Sequence, residues 1–190
     1  MIQTTSFSTL RSEPPVGGAR VTPAEFVHDD SGYSCAMSAD VSVSRDVAAS
    51  ADVVWELVSD LPRMGEWSPE NEGGAWIKGA TGPAPGAAFR GSNRHGGKSW
   101  KTIAKVVHAE PGRRFSFRVT AMGLPVALWA FDITPTDGGC TVTESWTDLR
   151  PGFFKPIAAK ATGVSDRTAH NGSTMEQTLA NLAAAAESSP

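Results

Sequence analysis

The chain has 190 residues, a length that suits one domain and is tight for two. Apolar residues make up 40% and charged residues 19%, which excludes bulk disorder and lets a core form without metal or disulfide support. Net charge is −3, from 17 basic and 20 acidic residues with no Lys/Arg cluster, which argues against a nucleic-acid partner.

Residues 1–38 carry Pro14-Pro15, Gly17-Gly18 and Asp29-Asp30-Ser31-Gly32 without a sustained apolar period, and read as a disordered tail. Met37 stands just before the first strand pattern and is an alternative start. The folded domain is expected over 39–188. Val41–Val47 alternates apolar and polar residues, as a half-buried strand does. Ser50 is an N-cap candidate for a short amphipathic helix carrying Val54, Leu57, Val58 and Leu61, with Asp52 in its first turn. Pro62 interrupts that helix, and a second helical turn is expected over 63–67.

Six strands should follow, over 74–78, 87–94, 98–109, 113–121, 126–134 and 140–149, separated by Gly- and Pro-rich turn chemistry. Several separators are short enough for hairpins, so the sheet should be largely antiparallel. The segment 151–164 fits either a short helix or a loop. Met175, Leu179, Leu182, Ala183 and Ala186 then form one helical stripe. The expected class is α+β: a curved seven-stranded antiparallel sheet wrapped around a long C-terminal helix, with two short helices between strands one and two.

Cys35 and Cys140 form no CxxC pair, which argues against a disulfide framework or a zinc ribbon and fits a reducing, cytoplasmic location. No apolar run approaches the roughly 20 residues of a membrane span, and the first residues lack the pattern of a signal peptide. Among His28, His95, His108 and His170 there is no HxH or HExxH spacing, so neither metal nor other cofactor is expected. Gly91, Gly96 and Gly97 lack the context of a phosphate loop, no Ser or Cys sits in a nucleophile motif, and the sequon at Asn171 has no secretion signal to give it meaning.

The element order resembles the helix-grip superfamily of START, pollen-allergen-like and polyketide cyclase/dehydrase proteins, also called SRPBCC. Motif-sized pieces carry the likeness: Val54-Trp55 with Asp60 and Trp67-Ser68-Pro69-Glu70, Phe89-Arg-Gly-Ser-Asn93-Arg94, Trp100, Glu110-Pro-Gly112 with Phe115 and Phe117, Trp129, Glu144-Ser-Trp146, and Thr162-Gly163-Val164 with Asp166-Arg167. The resemblance spans about residues 40–187. It implies a cavity between sheet and helix, in a superfamily whose members include lipid carriers and aromatase/cyclases.

Strand parity suggests which side chains line such a cavity. The ligand-binding candidates are Phe89, Asn93, Trp100, Phe117, Trp129, Phe131, Glu144, Trp146 and, from the helix, Met175. Arg45, Asn93 and Glu144 are the polar members of the inner face and the catalytic candidates if the protein is an enzyme, with Asp148 or His170 as a proton carrier. If the first and last strands are neighbours, Arg45 and Glu144 can form a cross-strand ion pair, Arg167 being the other candidate partner of Glu144. His170 also fits plain capping chemistry near Asp166. The leading expectation is a protein that binds an apolar small molecule, lipid or polyketide-like. The alternatives are a cyclase/aromatase-like enzyme and a protein–protein adaptor without a ligand. Oligomeric state is not encoded in any of these features.

Overall fold

The computed structural model describes residues 20–21 and 38–188. Apart from Arg20–Val21, the tail and Met37 lie outside the described residues, as does Cys35. In chain order the elements are β1 (Arg20–Val21), β2 (Val41–Val47), α1 (Ala51–Ser59), a 3-10 turn (Leu61–Glu66), β3 (Asn71–Ile77), β4 (Ala88–His95), β5 (Lys98–Glu110), β6 (Arg114–Ala121), β7 (Leu124–Thr136), β8 (Gly139–Asp148), a 3-10 turn (Gly152–Phe154), α2 (Lys155–Thr162) and α3 (Arg167–Glu187). The strands form one antiparallel sheet in the order β1-β2-β8-β7-β6-β5-β4-β3. Seven long strands grip α3, and the two-residue β1 extends the β2 edge. This is the helix-grip arrangement.

Local chemistry sets the boundaries. The Ser50 hydroxyl accepts the Val53 N–H at 3.3 Å and caps α1, which buries Val54 and Val58. Pro62 stands in the first turn of the 3-10 segment, where a missing N–H costs nothing. The segment left open between helix and loop contains α2, closed by Gly163 in the left-handed region at φ 76°. The turn between β6 and β7 is tighter than expected. Met122 and Gly123 both have positive φ, 53° and 78°, and Leu124 pairs directly with Ala121, so the strand runs through Pro125. β3 begins at Asn71 because a bulge between Asn71 and Gly74 extends the pairing with β4. At Gly74 the Arg90 carbonyl of β4 approaches so closely that no Cβ fits.

α3 starts at Asp166, whose carboxylate accepts the Ala169 N–H at 3.0 Å. It runs along β2: Gly172 lies against Val41, and near the far end the Ala48 N–H donates to Glu187 Oε1 at 3.0 Å. Val43, Val142, Phe115, Phe131, Leu179 and Leu182 form the centre of the core. The Asn181 amide donates to the Trp67 carbonyl at 3.0 Å and ties α3 to the first 3-10 turn. Cys140 is a buried free thiol. Among the described residues no helix is long and apolar enough to cross a membrane.

Candidate ligand cavity

Because α3 lies on β2, the space under the curved sheet is filled on that side and open toward β4–β7. A cavity of about 370 Å³ remains there, within the roughly 300–1,000 Å³ typical of small-molecule sites. Alternate residues of each strand face it. Phe89 and Asn93 come from β4, Trp100 from β5, Phe117 from β6, Trp129 and Phe131 from β7, and Glu144 and Trp146 from β8; Met175 comes from α3. Thr102 and Ala104 continue the parity of Trp100 on β5, and Gly91 sits between Phe89 and Asn93. Phe154, Ile157, Ala158 and Ala161, from the segment around α2, close part of the remaining wall. Met122, 89% exposed at the tip of the β6–β7 hairpin, also borders the cavity.

The polar groups on this wall differ in how they are satisfied. The Asn93 amide donates to Thr102 Oγ1 at 3.2 Å, a side-chain pair within the sheet. Glu144 is buried, 4% exposed, and its Oε2 has no hydrogen-bond partner among the described residues. Burial pushes its pKa well above the usual carboxylate range. Asn171 of α3, 2% exposed, likewise has a buried Nδ2 without a partner and lines the same cavity. Sequence parity had no strand rule to apply to Asn171. The available signal was its place four residues before Met175, one polar residue on the apolar stripe of α3.

Two expected pairings of Glu144 are not formed. In the β2–β8 ladder Val43 lies opposite Glu144, while Arg45 lies opposite Val142, two pairs further along. Arg45 does not line the cavity, because α3 covers β2 there, and no ion pair joins it to Glu144. Arg167 reaches Glu70 instead. Asp148 is also not a cavity group. Burial raises its pKa, but hydrogen bonds from the Arg150 side chain and backbone, with Lys155, outweigh that and hold the carboxyl at about 2. The Arg150 contacts are 2.8 and 2.9 Å and the Lys155 contact is 3.0 Å, so Asp148 stays ionised and clamps the end of β8 to α2.

His170 does more than cap a helix. Its Nε2 lies 2.8 Å from Glu70 Oε1, while the Arg167 Nη1 donates to Glu70 Oε2 at 2.9 Å. His95 Nδ1 lies 3.8 Å from the same Oε1, and the two imidazole rings meet edge to face at 4.6 Å. The Arg167 guanidinium stands 5.8 Å from the centre of the Trp100 ring. Glu70 and Arg167 both line the cavity, so this charged cluster forms one part of its wall. Chain spacing gave no sign of it.

The comparisons agree with this geometry. The family model described as polyketide cyclase / dehydrase and lipid transport matches residues 38–187. No curated protein matches the sequence. The solution structure of a polyketide-cyclase-like protein from Corynebacterium glutamicum is similar at 32% identity, covering 74% of this chain and 86% of that one, with a TM-score of 0.51. Two di-domain aromatase/cyclases share the fold: StfQ of the steffimycin pathway, at 17% identity and TM-score 0.60, and BexL of the BE-7585A pathway, at 18% and 0.59. The match takes in 77% and 78% of this chain but only 49% and 50% of those two, so the chain spans about half their length. Element order, the gripped helix and the cavity beneath the sheet thus coincide with the sequence match: the chain belongs to the polyketide cyclase/dehydrase and lipid transport family.

Proposed function

We propose that the protein binds one hydrophobic small molecule, a lipid or a polyketide-like compound, in the cavity between the sheet and α3. The observation that carries this reading is the cavity itself: about 370 Å³ of space walled mainly by aromatic and aliphatic side chains in an otherwise close-packed domain. Apolar burial supplies the affinity. Glu144 and Asn171, each with a buried polar atom left unpartnered, set the orientation by hydrogen-bonding an oxygen of the ligand. A carboxyl whose pKa is raised by burial keeps its proton, and so can donate, to higher pH than an exposed one, and the Asn171 amide is a second donor.

One observation favours a second reading, an enzyme of the cyclase/aromatase type. Glu144 is a buried carboxyl, its pKa raised by burial, facing an apolar space large enough for a substrate, an arrangement suited to proton transfer at a reactive carbonyl. Asn93 would assist from β4, whereas Arg45 lies outside the cavity. The adaptor reading needs a filled cavity, and protein atoms leave this one unfilled.

Native mass spectrometry of protein purified from its own host, followed by extraction, tests the first reading. A stoichiometric apolar adduct is expected. Trp100, Trp129 and Trp146 line the cavity, so their fluorescence should change on titration with fatty acids or aromatic polyketides. Ala104→Leu, which fills the cavity from β5, should abolish that change. An apo mass together with unchanged fluorescence across the panel would overturn ligand binding. Turnover of a bound polyketide that is lost in Glu144→Gln would establish the second reading.

A further inference from the structure

The Glu70, His95 and His170 cluster offers three ligand atoms, one carboxylate oxygen and two imidazole nitrogens, all within 4.8 Å of one another. They come from three places in the fold that meet at one point. The Arg94 N–H donates to the Glu70 carbonyl at 2.8 Å, which fixes Glu70 beside the end of β4, where His95 stands. His170 lies in the first turn of α3, anchored by the Asp166 cap. Arg167 holds Oε2 of Glu70 and so turns Oε1 toward both imidazoles.

A simple ion pair accounts for only part of this. His170 Nε2 at 2.8 Å makes a hydrogen bond to Oε1. His95 Nδ1 at 3.8 Å from the same oxygen is too far to make one, yet the ring is packed edge to face against His170. A metal ion bonded at about 2.0–2.1 Å to nitrogen and oxygen in tetrahedral geometry separates its ligand atoms by roughly 3.3 Å. His170 Nε2 and His95 Nδ1 stand 2.8 and 3.8 Å from Glu70 Oε1, either side of that separation, and all three ligand atoms lie within 4.8 Å of one another, so side-chain rotations would bring them onto one ion.

We propose that Glu70, His95 and His170 form a binding site for one divalent transition-metal ion, zinc in the first instance. Two imidazoles and a carboxylate without thiolate suit borderline ions of the zinc and cobalt type. Three protein ligands leave a coordination position open. Glu70 and Arg167 line the cavity, whereas His95 and His170 are not among its lining residues, so an ion on the three ligands stands beside the cavity wall with its open position free for water. The Arg167 charge sits on the opposite carboxylate oxygen, and the single Glu70 carboxylate lies between the two cations.

The test uses the full chain, stripped with a chelator and dialysed against Zn²⁺ or Co²⁺ alone. One ion per chain by elemental analysis is expected, with visible absorption for Co²⁺ typical of a coordination number below six. Residues that merely orient a metal ligand change affinity by about 10–100-fold, so losing a ligand in His95→Ala or His170→Ala should weaken Zn²⁺ binding by about tenfold or more. His95 is 41% exposed at a hairpin end, so its replacement leaves the core untouched. On the wild-type chain, Zn²⁺ should also shift the His95 and His170 imidazole nitrogen resonances, a readout that needs no variant. Absence of saturable binding, binding that both variants leave unchanged, or binding lost in His170→Ala but kept in His95→Ala would each overturn the three-ligand site.

Discussion

Glu144 of β8 and Asn171 of α3 face one cavity from opposite layers of the fold, and each leaves a buried polar atom, Oε2 and Nδ2, without a partner among the described residues. A buried polar atom without a partner costs free energy, of the order of 1–3 kcal/mol. Under the proposed function, one ligand satisfies both atoms on the wall of this cavity.

The first prediction concerns pH. The folded-state pKa of Glu144 is raised above its unfolded value by burial. Between those two values the native state binds more protons than the unfolded state, so stability falls as pH rises, by about 1.4 kcal/mol per pH unit for a single group. Urea unfolding of the apo protein from pH 4 to pH 8 should show this decline, and Glu144→Gln should remove it. An unchanged slope in the variant would show that Glu144 ionises normally.

Asp148 has the opposite sign. Its pKa falls from the ordinary 3.8 to about 2, so its contribution is fully present above the ordinary value and disappears as pH falls toward 2. Asp148→Asn should cost about 1–2 kcal/mol at pH 7, after discounting for partial solvent screening. The same variant should also loosen the junction of β8 and α2, where Arg150 and Lys155 meet the carboxylate. Denaturant unfolding gives the first quantity, and faster amide exchange over 152–162 the second.

Met175 is 1% exposed and borders the cavity from α3. Met175→Ala should destabilise by about 2–3 kcal/mol, the low end for truncating a buried methionine, because one side of the residue already faces open space. The enlarged cavity should shift the preference among fatty acids toward longer chains, read as a change in the ratio of affinities by tryptophan fluorescence.

Gly74→Ala tests the β3–β4 contact. The added Cβ would collide with the Arg90 carbonyl, and a backbone group gives way less readily than a side chain. A loss of about 1–3 kcal/mol is expected, with early amide exchange in β3 and β4.

Most of the architecture was legible because it rests on short-range rules. Alternation in Val41–Val47, the stripe from Met175 to Ala186 and the glycine turns each reflect backbone geometry over a few residues. The β6–β7 turn was misplaced by two residues because Pro125 reads as a loop residue, whereas in the structure it lies within β7 beside an irregularity in the ladder. Parity likewise carried Phe117, Trp129 and Trp146 to the concave side, since a strand offers only two faces.

Parity has no information about neighbours across the sheet or about where the helix lies. It put Arg45 and Glu144 on one face, but the register, set by pairing over the whole of β2 and β8, put Val43 opposite Glu144. It also could not tell that α3 would cover β2 and leave the open space under β4–β7. The amino-acid order alone therefore determined most of the elements and their faces, because those follow from local periodicity, and its motif-sized pieces carried the resemblance to the helix-grip superfamily. Only the packed molecule decided that Glu144 would be left without an ion pair beside a cavity, and that Glu70, His95 and His170 would meet. Both depend on how distant segments dock, and no spacing along the chain encodes that distance.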